Sequence, residues 1–523
     1  MSRCRRGSTG YSVLPQHERD SMRRAGILLH ITSLPSRGPV GDIGPAAYGF
    51  VDWLANAGCR VWQILPVNPV GPGWCPYASP SAFAAEPALL SLDGLVSDGL
   101  LELSEVGPRP QARGEADWMS VDGWKRPLLS LAAKRLAAAE PEALAEYARS
   151  KPWAGEWALF STLHARENRG WQDWSDAGLR ARNPTDLAAA RAELSGAVGE
   201  ALALQLLFDR QWAALKAYAR GKGVTLFGDM PLFVSGDSCD TWCDPQLFAL
   251  DEAGRATEVA GAPPDAFSDD GQLWGSPVYD WSAHTAEGFS WWKRRVGRAL
   301  EHVDLLRIDH FRGLQATWTI PADAETAREG TWKEVPGAAM FEALGSLPLV
   351  AEDLGIITPE VEALRAAVGC PGMRILQFAF GGDAHHGYLP HNYDANTVVY
   401  TGTHDNDTTR GWYATAGGVA QDRYRRYLGA DGADVSWDFI RMAWGSVAET
   451  AIAPMQDVLD LGGEARMNVP GTEDGNWGWR LQDIPWWVEG RLLDLSESYG
   501  RLPPPKPARK DAQTDNPSDN AEA

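Results

Sequence analysis

Eight short apolar runs, separated by stretches of helical periodicity, constrain the fold of this chain more than any other feature. The runs cover residues 26–30, 60–66, 224–229, 303–309, 347–352, 373–378, 397–401 and 465–468. Continuous apolar runs are typical of strands that are buried on both faces of a parallel sheet. Helical periodicity lies between several of them, as in 291–301, 359–368 and 436–453. Strands that alternate with helices in this way predict an α/β fold, a (β/α)8 or TIM barrel.

The segment between the second and third runs, about residues 70–222, is too long for a single crossover. Its helical stretches are 128–139, 142–148, 187–194 and 200–219. We expect a large, mostly helical insertion between strands 2 and 3, on the face where long insertions shape the binding cleft. The polar segments 1–22 and 503–523 are predicted to be disordered, which leaves 23–502 as the catalytic domain.

Composition limits the partners of the protein. The 523 residues carry a formal net charge of −21, which disfavours binding to nucleic acid or to anionic membranes. No run of 18 apolar residues and no signal peptide is found, so we expect no membrane association and a cytoplasmic location. The 24 tryptophans favour a carbohydrate ligand, because indole faces stack on sugar rings, although some of them will be core residues.

The six cysteines do not form the pattern of a disulfide framework. Cys239 and Cys243 are the closest pair, and no second Cys/His pair follows to complete a zinc site. Reduced thiols in the cytoplasm are the better interpretation.

Charged side chains stand where four of the predicted strands end. They are Asp229 at the end of the third run, Arg307 and Asp309 at the end of the fourth, Glu352 at the end of the fifth, and His404 and Asp405 after the seventh. In a barrel these ends meet at one mouth, where reactive residues lie. Like charges are costly to bring together, so such a cluster indicates a functional site.

Two carboxyl groups on different strands are what the cleavage of a glycosidic bond requires. Arg307 and Asp309 lie on the same side of their strand, and a neighbouring cation keeps a carboxylate ionised, which suits a nucleophile. Glu352 ends an apolar strand, where burial and nearby carboxylates raise a pKa and suit an acid.

Each of these residues also has a plainer interpretation. Arg307 and Asp309 could form a structural ion pair, and Asp353 could cap a solvated helix that starts beside Glu352. His404 and Asp405 could bind a metal ion. The residues at the strand ends do not by themselves decide between these structural interpretations and a catalytic site.

The strings 307–313 (RIDHFRG), 351–355 (AEDLG) and 403–407 (THDND) resemble the 4-α-glucanotransferases of glycoside hydrolase family 77, also called amylomaltases or disproportionating enzymes, which are relatives of the α-amylases. Six further strings carry the resemblance: 28–36 (LLHITSLPS), 62–66 (WQILP), 76–84 (PYASPSAFA), 228–234 (GDMPLFV), 260–275 (AGAPPDAFSDDGQLWG) and 466–471 (RMNVPG). The nine strings run in consistent order from about residue 25 to 500, so the signal is strong.

The resemblance implies a role for each matching residue. Asp309 would be the nucleophile that forms a β-linked glucosyl-enzyme, Glu352 the general acid and then base, and Asp405 the residue that distorts the sugar ring. Retention of configuration implies that the first two carboxyl groups lie roughly 5–5.5 Å apart. The substrate-binding residues would be Arg307, His404, Asp229, Tyr77, Trp274 and Asn468. The family uses no metal and no organic cofactor, so His404 and Asp405 would hold a sugar. The loop 260–275 would cover the cleft and keep water from the intermediate.

The implied activity is the transfer of α-1,4-glucan segments between malto-oligosaccharides or between glucans derived from amylose and glycogen, by a monomer or weak homo-oligomer. An α-amylase-type hydrolase is the main alternative, followed by a metal-dependent barrel hydrolase that uses His310 and His404, and by a non-catalytic glucan-binding protein. Two departures bear on substrate length rather than on the chemistry. Ala266 stands where bacterial relatives often have an aromatic residue, and Glu86 where an asparagine is common.

Overall fold

A computed structural model describes residues 23–110, 114–264 and 269–503 of the chain. Both predicted disordered segments, 1–22 and 503–523, lie outside these residues except for Pro503, and so does Ala266.

The described residues are built around a closed parallel sheet. The strands are β1 (Arg24–Leu28), β2 (Val61–Gln63), β3 (Thr225–Met230), β4 (Glu258–Ala262), β5 (Gln272–Pro277), β6 (Leu305–Ile308), β7 (Ala316–Pro321), β8 (Thr331–Glu334), β9 (Leu349–Ala351), β10 (Gly372–Ile375), β11 (Thr397–Tyr400) and β12 (Thr450–Pro454). Eight of them pair in the order β10-β11-β12-β1-β2-β3-β6-β9, all parallel. The Ala351 amide donates to the Pro371 carbonyl at 2.9 Å between the two ends of this order, so the sheet closes. The predicted TIM barrel is confirmed.

Helices surround the barrel. Those of eight residues or more in the described ranges are α1 (Pro45–Asn56), α2 (Arg126–Ala139), α3 (Pro141–Ser150), α4 (Pro152–Glu167), α5 (Pro184–Glu193), α6 (Ser195–Gly221), α7 (Ser290–His302), α8 (Gly337–Leu344), α9 (Pro359–Val368), α10 (Gly418–Leu428), α11 (Val435–Gly445) and α12 (Trp486–Ser498). Apolar side chains fill the barrel interior, among them Val61, Phe227, Val350, Tyr400 and Ile452. No helix in the described ranges is long and apolar enough to cross a membrane.

The predicted eighth strand, 465–468, is wrong. Gly463–Ala465 forms a 3-10 turn and a loop follows it, whereas the eighth strand is β12, whose first four residues lie in the stretch 436–453 that the periodicity predicts as helix. That helix ends at Gly445, as α11. Two of the five residues of β12 are alanine, a strong helix former in isolation, and parallel pairing with both β11 and β1 overrides that preference.

The segment between β2 and β3 is helical, as predicted, and contains α2 to α6. Its last helix, α6, also packs on the barrel. The Tyr218 hydroxyl near the end of α6 donates to Asp52 of α1 at 2.8 Å, and the barrel strand β3 begins soon after α6 ends. The long segment therefore combines added helices with the crossover helix that precedes the third barrel strand.

A second, antiparallel sheet was not predicted. It has the order β5-β4-β7-β8 and is formed by the segments that follow β3 and β6 of the barrel. The hairpin of β4 and β5 contains most of the loop 260–275, with Gly261 paired to Leu273 and Ala262 to Gln272. This sheet carries Trp274 at the barrel mouth.

Candidate active site

Arg307 joins two of the predicted carboxylates at the centre of the mouth. It stands on β6 opposite Asp229 of β3, and its Nη1 lies 2.6 Å from Asp229 Oδ2. Its Nη2 lies 2.7 Å from Asp309 Oδ1, one position beyond the end of β6. The Arg307 side chain is only 3% exposed, whereas that of Asp309 is 29% exposed and can be reached by a substrate. Burial alone would lower the pKa of Arg307, but Asp229 and Asp309 hold this pKa well above its ordinary value.

Tyr77 connects this pair to the residues that follow β11. Its hydroxyl donates to Asp229 Oδ2 at 2.9 Å and lies 2.8 Å from His404 Nε2. Burial and the Asp229 charge raise the pKa of Tyr77 well above 10, so the hydroxyl keeps its proton. Because that proton points to Asp229, the Tyr77 oxygen accepts from His404, which therefore carries hydrogen on Nε2. The two rings also stack, with centroids 5.3 Å apart.

Asp405 is held from three sides. Its Oδ2 lies 3.2 Å from His404 Nε2, and its Oδ1 accepts from Asn468 Nδ2 at 2.6 Å. Arg466 donates to its backbone carbonyl at 2.6 Å. The Asp405 side chain is still 39% exposed, so an oriented carboxylate faces the cleft.

Glu352 follows β9 directly and is oriented by backbone amides. Its Oε2 accepts from the His310 amide at 2.7 Å, and its Oε1 from the Leu354 amide at 2.9 Å. Burial raises the pKa of Glu352 to about 7, with Arg307 opposing the shift and the charge of Asp309 adding to it. At neutral pH a large share of Glu352 is therefore protonated and able to give a proton.

Trp274 lies on the hairpin and packs against His310, whose amide holds Glu352. Its indole is 38% exposed, and its ring meets that of His310 edge to face, with centroids 4.8 Å apart. His310 has a left-handed backbone, with φ +50°, a conformation that L residues with side chains adopt at a cost. This conformation directs the His310 amide to Glu352 while its ring supports Trp274.

All nine predicted site residues thus lie at one mouth. Direct side-chain contacts join Asp229, Arg307, Asp309, Tyr77, His404, Asp405 and Asn468. His310 connects Glu352 and Trp274 to each other.

The reading of Asp353 as a helix cap is wrong. The next helix, α9, begins at Pro359 after Thr358. Asp353 is buried, accepts from the Met373 amide at 2.6 Å, and pairs with Arg365 at 3.3 Å. It therefore supports the join between β9 and β10. Within the described ranges, no group of three or more His, Cys, Asp or Glu side chains is placed to hold a metal ion.

Sequence reasoning missed three aromatic neighbours. His30, just beyond β1, is buried, and burial together with His404 lowers its pKa to about 3, so it is neutral. Trp477 packs on Tyr77 with centroids 5.6 Å apart. His310 was considered only as a metal ligand. His30 lies just beyond the end of a barrel strand, and this position could have marked it as a site residue. Trp477 lies on a loop, where no sequence pattern marks it.

Glu86 has a local structural role. Its carboxylate accepts from the amides of Ala88 at 2.9 Å and Val70 at 3.2 Å, and it is 3% exposed. It caps the short 3-10 helix Pro87–Leu89 and holds the loop that contains Val70.

Comparison with known proteins decides the family. The family model described as 4-alpha-glucanotransferase matches residues 29–485. The chain belongs to the 4-alpha-glucanotransferase family. It is 46% identical over 500 residues to the 4-alpha-glucanotransferase of Thermus thermophilus, covering 92% of this chain and 99% of that one. The enzyme of Synechocystis is 44% identical over 496 residues, covering 92% and 98%.

A solved relative agrees with this 4-alpha-glucanotransferase in fold. The amylomaltase of Streptococcus agalactiae, solved in complex with acarbose, superposes with a TM-score of 0.89 at 35% identity, over 92% of this chain and 100% of that chain. The resemblance stated from nine strings is confirmed. The protein is an enzyme of transglycosylation, which this family membership supports over α-amylase-type hydrolysis.

Proposed function

We propose that this 4-alpha-glucanotransferase transfers α-1,4-glucan segments by a retaining double displacement. Asp309 attacks the anomeric carbon while Glu352 protonates the leaving oxygen, and a β-linked glucosyl-enzyme forms. Glu352, now ionised, then takes the proton of an acceptor hydroxyl, which attacks the same carbon. Two inversions restore the α-linkage.

One observation carries this assignment: two carboxyl groups at one mouth stand in different environments. Asp309 lies 2.7 Å from the buried Arg307 guanidinium and is 29% exposed, so a substrate can reach it. Burial raises the pKa of Glu352 to about 7, which favours the acid form. Different environments at a pair of carboxyl groups are the basis for assigning a nucleophile and an acid.

The remaining residues bind the reacting sugar. Asp405 is exposed and fixed by His404 and Asn468, so it can accept hydrogen bonds from two hydroxyls and favour a distorted ring. Tyr77 and Trp274 offer aromatic surface, and Asp229 holds Arg307 and Tyr77 in place. The site needs no metal or organic cofactor for these steps.

The hairpin of β4 and β5 favours transfer over hydrolysis. Trp274 packs against His310, whose amide holds the acid, and an acceptor sugar that stacks on this indole would exclude water from the glucosyl-enzyme. Ala266 lies in this loop but outside the described residues, and we expect it to open the cleft on the acceptor side.

The substrates we propose are malto-oligosaccharides and the glucans of amylose and glycogen, which places the enzyme in glycogen or starch metabolism. Acarbose in the Streptococcus agalactiae relative supports an oligosaccharide ligand. The net charge of −21 disfavours nucleic acid and anionic membranes. We further propose a cytoplasmic enzyme that acts as a monomer or weak homo-oligomer.

Incubation with maltotriose tests this function. We expect the wild-type enzyme to produce glucose together with a ladder of longer oligosaccharides. Asp309→Asn should lose about 10³-fold or more of this activity, because the amide cannot act as the nucleophile, while glucan binding is retained.

Asp422→Asn is the matched control, since Asp422 is an exposed aspartate on α10 that pairs only with Arg426 at 3.6 Å. This variant should keep its activity. Near-wild-type activity of Asp309→Asn, or formation of glucose and maltose without longer products, would contradict the proposal.

A further inference from the structure

Two thiols meet on a short helix that follows β3 in the chain. Cys239 and Cys243 stand at the two ends of the helix Cys239–Cys243, with sulfur atoms 3.6 Å apart. Cys239 is 6% exposed, whereas Cys243 is partly exposed, so a reagent in solution can reach its sulfur. The mechanism proposed above uses neither thiol.

Charged groups surround the exposed thiol. Arg182 Nη1 lies 3.4 Å from Cys243 Sγ, and Glu156 Oε2 lies 3.7 Å from it. Arg182 also lies over the Trp242 ring, 4.2 Å from the centroid. Cys243 Sγ therefore has on one side a guanidinium, the kind of neighbour found at thiols that undergo exchange, and on the other a carboxylate that accepts from the thiol.

We infer that Cys239 and Cys243 form a thiol–disulfide exchange site that accepts small-molecule disulfides. The Cys243 thiolate attacks one sulfur of the reagent and releases a thiol, and Cys239 then displaces the second thiol to close an internal disulfide. The pair loses two protons and two electrons, and the reagent's sulfur–sulfur bond is reduced to two thiols. Transient disulfides of this kind occur in reducing compartments.

Closure must deform the helix. Side chains four residues apart on a helix have Cβ atoms about 5–6 Å apart, whereas a disulfide needs about 3.5–4.5 Å. The helix has only five residues, so its single turn must tighten or unwind. The indole of Trp242 is fully buried and donates to the Leu179 carbonyl at 3.0 Å, which fixes the middle of the helix. The ends of the helix must therefore move.

The N-terminal end of this helix is hydrogen-bonded to the segment that carries Tyr77. The Cys239 amide donates to the Pro80 carbonyl at 2.8 Å, and the carboxylate of Asp240 accepts from the Ala82 amide at 2.8 Å. The same segment begins at Tyr77, whose hydroxyl holds Asp229 and His404. Oxidation of the pair therefore displaces Tyr77 and lowers the transfer activity.

Oxidised glutathione is the reagent for the test, with the full-length enzyme assayed on maltotriose. We expect peptide mass spectrometry to find the Cys239–Cys243 disulfide and activity to fall roughly ten-fold or more, the scale of small misplacements in active sites. Dithiothreitol should restore the activity.

Variants separate this site from other thiols. Cys243→Ser removes the thiol that the reagent reaches, so this variant should keep its activity in the presence of the reagent. Cys239→Ala keeps Cys243 and can form only the mixed disulfide with glutathione, so no internal disulfide should appear. Cys75→Ala removes the other partly exposed thiol of the described residues and should remain sensitive. Absence of the internal disulfide in the wild-type enzyme, a disulfide without loss of activity, or inactivation of the Cys243→Ser enzyme would each overturn the inference.

Discussion

At the scale of single residues, the buried carboxyl group of Glu352 has the most direct functional consequence. The amides of His310 and Leu354 donate to its two oxygens and favour the charged form, which lowers the pKa. Burial outweighs them and raises the pKa of Glu352 to about 7. A carboxyl group of ordinary pKa would be ionised at neutral pH and could not protonate the leaving oxygen.

The pH dependence of kcat/KM follows from this pKa. The acid step needs protonated Glu352, so we expect kcat/KM for maltotriose to fall as the pH rises through about 7. A profile that is already falling near pH 5 would contradict the assignment of Glu352 as the acid.

The same shift predicts how stability depends on pH. An unfolded Glu352 loses its proton near 4.5, whereas the folded protein keeps it to about 7. Between these values the folded state binds more protons, so Glu352 lowers the free energy of unfolding progressively as the pH rises. Melting temperatures at pH 5 and pH 8 should show that Glu352→Gln gains stability relative to wild type at the higher pH. Glu342→Gln, at an exposed position on α8, should show no such gain.

At the scale of elements, the β4–β5 hairpin sets the position of Trp274 beside His310. Gly261 is the tightest point of the pairing, because a Cβ there would lie 2.2 Å from the Gln272 carbonyl oxygen and 2.5 Å from the Ile320 side chain. The first of these atoms belongs to the backbone and cannot turn away. Trp274 follows two residues later on the paired strand, so its position depends on this contact.

We expect Gly261→Ala to separate β4 from β5 and to move Trp274 away from His310. The intermediate would then be more open to water, and the ratio of hydrolysis to transfer on maltotriose should rise. Gly387→Ala is the matched control, because no atom lies within 4 Å of a Cβ at that position. An unchanged product ratio in Gly261→Ala would argue against the hairpin as the water barrier.

At the scale of the whole molecule, the barrel explains which parts of the site could be predicted. Residues that follow parallel strands converge at one mouth, so Asp309 and Glu352 were found from apolar runs alone. Tyr77, Trp274 and Asn468 lie on loops or on the added hairpin, where no local periodicity marks them. Only the resemblance to a family identified them.

The missed elements have a common physical cause. Strand β12 pairs with β11 and β1, and the second sheet pairs β4 with β7; in each case the paired residues are far apart in the chain. Both are stabilised by strands that are distant in sequence, and a local sequence pattern carries no information about such partners.

The tryptophan count is a weak indicator of a carbohydrate ligand. Some tryptophans were expected to stack on sugar rings, yet seven are fully buried: Trp62, Trp174, Trp212, Trp242, Trp291, Trp292 and Trp444.

The central claim, attack by Asp309 with proton transfer by Glu352, is tested most directly by trapping the intermediate. Glu352→Gln is incubated with α-maltosyl fluoride, whose leaving group needs no acid, and the acid-quenched protein is digested for mass spectrometry. Without the general base, the glycosyl-enzyme should accumulate, with one maltosyl group on the carboxylate of Asp309. No adduct, or an adduct on another residue such as Asp405, would contradict the account.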